Sequence, residues 1–296
     1  MILALSLGRP IVLGLVQGAA FGLVAIGLVL IYKSSRVFNF AAGEFATLGA
    51  FGYYLANDHV PLWAAAVVGT LVGVGAGLVT ERLVVRPLAN RPKVTVLVAT
   101  AATAITIIAL QFLLGATGKT FSVKPLIAGT LPFRVFGVFV SWQQLLIVVV
   151  LVLAGGALAL FFAFTDLGLA TLAASQEPTA SRLMGIRINR VAMLTWAVAG
   201  GLGGLAGVLL SPTLGNFTPA YGTTDLLTQS FTAAVLGGMT SMPGAFLGGI
   251  VLGLVQNMAQ FNISPDKVPG AQFAAVLVVL VAVLAIRPTG ILGKEA

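Results

Sequence analysis

The chain alternates long apolar runs with short polar breaks. The runs are continuously apolar and lack the ten-residue polar/apolar alternation of a membrane β-barrel. Most last about 20 residues, the length a helix needs to cross a hydrocarbon core of ~30 Å. The pattern predicts an all-α, polytopic transmembrane helix bundle of about 8–9 segments, forming one domain over 1–296. The segments fall at 11–31, 37–56, 62–80, 94–114, 142–163, 191–211, a broken pair at 225–240 and 243–261, and 270–286. Length and a turn define the broken pair. The run from Leu226 to Gly238 makes roughly 20 Å of helix, too short to cross comfortably. Gly237-Gly238-Met239-Thr240-Ser241-Met242-Pro243-Gly244 then interrupts it, and apolar residues resume at Ala245. Two readings are open: a helical hairpin marking a transport pathway, or a tight turn between two short spans.

The largest polar island is 165–190, which carries Asp166, Glu177, Arg182, Arg187 and Arg190. Pro178 suits the first turn of a helix, where its missing N–H costs nothing, with Ser175 or Gln176 as the cap before it. Gly185 suits a left-handed C-cap. The expectation is an amphipathic helix of about two turns, Pro178 to Met184, at a membrane surface. It serves either as a docking element for a soluble partner or as an interfacial helix lying on lipid headgroups.

Composition makes the membrane reading firm. Of 296 residues, 58% are hydrophobic and 8% charged, and the mean hydropathy is +1.07. A soluble domain of this size cannot hide that much apolar surface. The 36 glycines fit close helix packing in a bilayer. With no cysteine, disulfides, thiol nucleophiles and thiolate metal sites are excluded. The net charge of +8 reads as a topology signal and not as nucleic-acid affinity. Loops 32–37, 81–93 and 165–190 and the tail 287–296 hold 11 of the 16 basic residues. Setting them in the cytoplasm leaves the N-terminus outside and the C-terminus inside. The first segment lacks a basic n-region and a small-residue cleavage site, so it reads as a retained span. Loop 115–141, on the other side, reads as a cap, a receptor-docking surface or an undistinguished loop.

Catalytic patterns fail one after another. Gly115-Ala116-Thr117-Gly118-Lys119-Thr120 mimics the end of a phosphate-binding loop, but Leu113 stands where the first glycine belongs and no short strand precedes it. Gly201-Leu202-Gly203-Gly204 lies inside a span, where glycines serve packing. His59 is the only histidine, so no metal cluster forms, and a Gly-x-Ser-x-Gly elbow is missing. The chain reads as a non-enzyme without an ATPase motif. Polar residues inside the spans remain, among them Gln17, Asn39, Glu44, Thr47, Gln111, Gln229 and Asn257. Glu44 is acidic at a depth where a charge costs about 2.5–3.5 kcal/mol on insertion scales. It is either a pathway or gate residue, or a structural hydrogen-bonding partner. Thr100, Thr103 and Thr106 share a face and suit bonds to their own helix backbone.

Three stretches carry a family likeness. Gly22-Leu23-Val24-Ala25-Ile26-Gly27-Leu28-Val29-Leu30-Ile31-Tyr32 followed by Phe38-Asn39-Phe40-Ala41-Ala42-Gly43-Glu44-Phe45 resembles the start of LivH-type permeases. These are the membrane subunits of branched-chain amino acid ABC importers. Ala174 to Leu194 is similar to that family's cytoplasmic coupling loop. Thr232-Ala233-Ala234-Val235-Leu236-Gly237-Gly238 with Ser241-Met242-Pro243-Gly244-Ala245 resembles its late hairpin. Many members carry His where this chain has Ala42, so no role of that His transfers.

The resemblance implies a multi-pass permease of a bacterial inner membrane that moves solute by alternating access. Its partners would be two cytoplasmic ATPase subunits, a second related permease, an external substrate-binding protein and membrane lipid, with no nucleic acid. No cofactor would bind this chain, since ATP and Mg belong to the ATPases. Glu177, Ser181, Arg182, Met184, Gly185 and Arg187 would couple to the ATPases. The pathway would run between span 37–56 and the hairpin 225–261, lined by Asn39, Glu44, Gln229 and Asn257. Solutes across the wider family include aliphatic and other amino acids, urea or short amides, and aromatic acids. Two other classes compete: a secondary transporter or channel with Glu44 as its ion site, and a structural membrane scaffold.

Overall fold

The computed structural model describes residues 2–113, 117–264, 266 and 268–293. Gly115 and Ala116 of the phosphate-loop-like stretch and residues 294–296 of the basic tail lie outside these. Among the described residues eleven α-helices carry the fold: α1 (Ile2–Ser35), α2 (Ala42–Ala56), α3 (Leu62–Thr80), α4 (Lys93–Gln111), α5 (Trp142–Phe164), α6 (Asp166–Gln176), α7 (Pro178–Leu183), α8 (Ile188–Leu214), α9 (Thr228–Gly237), α10 (Met242–Asn262) and α11 (Ala271–Ile286). A π-helical turn, Glu81–Val85, extends α3, and another, Gly222–Leu227, precedes α9. Among the described residues, six helices are long and apolar enough to cross a membrane: α1, α3 with its extension, α4, α5, α8 and α10. The remaining segments expected as spans are shorter, at 15 residues for α2, 10 for α9 and 16 for α11.

Glycine sets the packing. Gly14 and Gly18 of α1 lie so close to α10 that a Cβ on either would meet the backbone of Gly253 or Gly249 at 2.9 or 2.7 Å. On the other side α8 touches both α2 and α3, with Gly204 against Gly49, Gly200 against Gly73 and Gly207 against the Ala46 carbonyl. In lipid an apolar side chain gains nothing by leaving solvent, so helices associate through close van der Waals approach, and small residues permit it. α1 and α8 therefore form the centre. α4, α5 and α11 lie outside, with Val98, Ile105, Leu153, Leu160, Leu277 and Val278 exposed.

Several expected boundaries shift. Segment 11–31 is the middle of a 34-residue helix. Segment 37–56 does not start as a helix, because Val37–Asn39 is irregular and Phe40–Ala41 a turn before α2 begins at Ala42. Loop 115–141 holds an antiparallel hairpin of β2 (Thr130–Val135) and β3 (Val138–Ser141). It also holds β1 (Phe121–Ser122), which pairs with β4 (Asn216–Phe217) after α8. Phe51, Tyr54, Phe121 and Phe217 interlock there, with ring centroids 4.9–6.4 Å apart. Tyr53 Oη donates to the Lys124 carbonyl at 2.7 Å beside a Lys124–Asp58 ion pair.

The four basic stretches gather at the opposite end. Thr195 at the start of α8 bonds Ser34 at the end of α1 (3.1 Å), and Gly77 near the end of α3 abuts Trp196. The C-terminal tail returns to the end of α9, where Ile291 N–H donates to the Leu236 carbonyl at 2.9 Å.

Candidate functional site

The polar groups of the bundle meet where two broken segments touch. Gly43, in the first turn of α2, and Gly222, opening the second π-helical turn, lie backbone to backbone, and a Cβ on either would overlap the other's carbonyl. From this contact α2 runs on 13 residues to Ala56, roughly 20 Å, and the π-turn with α9 runs 15 residues to Gly237, roughly 22 Å the other way. The contact is therefore near mid-depth.

That approach sets Glu44 beside Thr223. Thr223 Oγ1 donates to Glu44 Oε1 at 2.6 Å, and Gln111 Nε2 at the end of α4 donates to Oε2 at 2.7 Å. Gln111 Oε1 accepts the Ala220 N–H at 3.0 Å, and Thr47 Oγ1 accepts the Gly222 N–H at 2.8 Å. Ala220 is held at φ +63, a left-handed conformation unusual for a residue with a Cβ. Glu44 is wholly buried. One carboxylate thus ties together α2, α4 and the π-turn.

Non-helical backbone at this depth must find partners within the protein, and Thr100 of α4 supplies them. Its Oγ1 accepts the Phe40 N–H at 3.3 Å and lies 3.2 Å from the Phe38 carbonyl and 2.8 Å from the Leu97 carbonyl of its own helix. Thr103 and Thr106 bond their own helix as expected, to the Ala99 and Ala102 carbonyls at 2.8 Å each. Asn39 Oδ1 accepts the Ala41 N–H at 3.0 Å, while its Nδ2 is buried without a partner.

The four expected pathway residues are all buried in this conformation, and no hydrogen bond joins any two of them among the described residues. Glu44 has the partners above. Asn257 of α10 donates to Gln17 Oε1 of α1 at 2.9 Å and to the Gly253 carbonyl at 3.0 Å. Gln229 lies on α9. The phenyl ring of Phe231, also on α9, packs on Phe38 (5.3 Å) and Phe40 (6.3 Å). Sequence reasoning missed Thr223, which precedes the expected segment start at 225. Gly222 before an apolar run was the available signal, legible only once its partner Gly43 is known.

The polar island holds two helices. α6 starts with Thr165 as its cap, Oγ1 accepting the Gly168 N–H at 3.0 Å. It continues through Gln176, so neither Ser175 nor Gln176 caps α7. Glu177 holds that position without a side-chain bond, because Pro178 starts the next helix immediately. α7 ends one residue earlier than expected, at Leu183, with Met184 as its C-cap. Gly185 is left-handed (φ +82), and Ile186 N–H to the Ser181 carbonyl and Gly185 N–H to the Arg182 carbonyl, both 3.0 Å, complete a Schellman motif. Ser181 is buried, whereas Glu177, Arg182, Met184 and Arg187 are exposed. Leu183 and Met184 are 86% and 82% exposed. Arg182, Arg187 and Arg190 line an open groove of about 480 Å³ beside them.

Interrupted helices meeting at mid-depth, with polar side chains between them, define a polytopic membrane protein built for translocation. The chain belongs to the family described as branched-chain amino acid transport system / permease component, which it matches over residues 11–286. It is 32% identical to the high-affinity branched-chain amino acid transport system permease protein BraD of Pseudomonas aeruginosa, over 97% of this chain and 95% of the relative. It is 30% identical to LivH of Escherichia coli K12, over 95% of this chain and 94% of the relative. A probable LivH of Methanocaldococcus jannaschii is 31% identical, over 92% of this chain and 88% of the relative. No solved structure matches the chain.

Proposed function

We propose that the chain is the membrane permease of an ATP-driven importer for branched-chain or other hydrophobic amino acids. Similarity to LivH and BraD permeases over nearly its whole length carries this reading. ATP and Mg are used by two partner ATPase subunits, as the permease family's place in ABC importers suggests. A second permease and an external binding protein complete the assembly in a bacterial inner membrane. The clustering of the basic stretches at one end supports an external N-terminus and a cytoplasmic C-terminus.

Coupling runs through α7. Leu183 and Met184 are large apolar side chains open to solvent beside Arg182 and Arg187, a surface that suits a protein partner. Glu177, Ser181 and Gly185 hold α7 in shape, with Ser181 as its buried foot. Closure of the ATPases moves this lever and the spans attached to it.

The solute path runs between α2 and the α9–α10 hairpin, past Asn39, Glu44, Gln229 and Asn257. These residues are sealed in this conformation, and the path opens where α2 parts from the π-turn. The buried, unpartnered Asn39 Nδ2 supports a seam that rearranges.

Purification of the tagged chain from native membranes in mild detergent tests the assembly. ATPase subunits should come with it in stoichiometric amounts and be lost when the Glu177–Gly185 helix is disrupted. Arg182→Glu and Gly185→Pro should uncouple ATP hydrolysis from uptake while insertion persists. Normal transport by both would dismiss the lever. Unchanged uptake after Ala or Leu replacement of Asn39, Glu44, Gln229 and Asn257 together would dismiss the path.

A further inference from the structure

The π-turn and α9 bury one side and leave the other open. Leu226, Leu227, Gln229 and Ser230 are buried, whereas Thr224, Asp225 and Thr228 are exposed and Phe231, Thr232 and Val235 half-buried. The spacing 224, 225, 228, 231, 232, 235 is one face of a helix. Its upper part is polar: a carboxylate among threonines. Asp225 Oδ2 accepts Thr224 Oγ1–H at 2.9 Å, and no cation pairs with Asp225 among the described residues. The lower part is aromatic, with Phe231 packed on Phe38 and Phe40.

The depth of this face is what makes it informative. Asp225 is three residues beyond Gly222, whose contact with Gly43 lies near mid-depth. An exposed carboxylate without a counter-ion is not stable against lipid tails at that depth, and such groups face water or a translocated solute. π-helical turns recur at functional sites because the extra residue re-aims the side chains that follow. We propose that the open face of the π-turn and α9 lines the solute path, with Asp225 receiving the protonated amine of the solute. Thr228 and Thr232 follow it along the face, and Phe231, Phe40 and Phe38 take the apolar tail. The occupant is a solute carrying both a cationic amine and a short apolar side chain, and the face continues the path that opens where α2 parts from the π-turn. The inference rests on the permease reading and adds to it the residue that reads charge.

The chain contains no cysteine, so labelling read on this chain after its separation from the partners comes from the introduced thiol alone. A charged, water-soluble methanethiosulfonate reacts with thiolate, which forms only where water reaches. In the importer assembled in proteoliposomes, Asp225→Cys and Thr228→Cys should label, and Leu277→Cys, exposed on α11, should not. Leucine should slow Asp225→Cys labelling several-fold. Asp225→Asn should raise the KM for leucine uptake about tenfold or more, and Asp225→Glu should recover most of the loss. The assignment is overturned if Asp225→Cys resists labelling like Leu277→Cys. It is equally overturned if leucine leaves the labelling rate unchanged, or if Asp225→Asn keeps the wild-type KM. A wild-type assembly that takes up neither leucine, valine nor phenylalanine with ATP would sink the permease reading and this assignment together. Wild-type uptake with an indifferent Asp225→Asn would sink the assignment alone.

Discussion

α5 and α8 cross the same bundle and differ in a way that a soluble protein would reverse. α5 has the higher mean hydropathy, 3.0 against 1.7, yet only 17% of an 18-residue apolar stretch of it is buried, against 67% for the same length of α8. In water the more apolar helix would be the central one. In lipid, hydrocarbon solvates leucine as well as a protein core does, so the most apolar helix faces outward and the glycine-rich one goes to the centre. Gly200, Gly204 and Gly207 give α8 its place by letting α2 and α3 touch its backbone. The interior of this protein is thus chosen by size and not by hydropathy.

The strongest way to break that comparison is to fill the central contact. Gly207→Leu pushes a side chain into the Ala46 carbonyl, and overpacking of this kind costs about 1–3 kcal/mol or more. The expected outcome is loss of most detergent-stable protein, read by size-exclusion chromatography. Gly156→Leu on α5 and Gly75→Leu on α3 enter open space and should leave the profile unchanged. Equal loss at all three positions would show that glycine acts through the backbone and not through packing.

Next in size is a contrast within α5 itself. Leu151 is fully buried and rests on Gly22, whereas Leu153 is 65% exposed. Leu151→Ala should lower thermal stability by about 2–5 kcal/mol, and Leu153→Ala should do almost nothing in a thermal-shift assay. A third variant sharpens the comparison at the polar joint. Glu44→Leu leaves Gln111 and Thr223 without their acceptor, a loss of about 1–3 kcal/mol. Glu44→Gln keeps the shape and should lose less. If the two melted alike, charge and not hydrogen bonding would be holding the joint.

The smallest effect lies outside the membrane. The Lys124 ammonium, through its hydrogen bond and then its charge, holds the Asp58 carboxyl below the usual carboxylate range. A carboxyl depressed on folding stabilises the fold above its unfolded value, and that contribution fades as pH falls through the folded value. Lys124→Ala should let Asp58 titrate higher, as read by carboxyl carbon NMR shifts, with little change in melting at neutral pH because the pair is exposed.

The reading of the sequence reached far where signals are local. Most long apolar runs became helices, Gly185 became a left-handed cap, and Gly238 (φ +100) with Ser241 turned the late hairpin, Ser241 Oγ accepting the Gly244 N–H at 3.1 Å. Boundaries were lost where apolar runs hide non-helical backbone. Val37–Ala41 looks apolar enough for a helix, and its non-helical form is held by Asn39 within the stretch and by Thr100, 60 residues away from Phe40. The hairpin in loop 115–141 was missed because its short, mixed strands are weak signals beside the spans.

Hydropathy by itself determined the solvent, the helical class and the polar island, because each follows from the cost of exposing apolar groups or breaking backbone bonds in lipid. The tertiary structure alone decided which helices are central and which polar groups meet. Glu44 and Thr223 are 179 residues apart, and their 2.6 Å bond exists because two glycine backbones, at Gly43 and Gly222, come into contact. Contact between distant small residues leaves no periodic trace in the chain, so only the folded bundle reveals it.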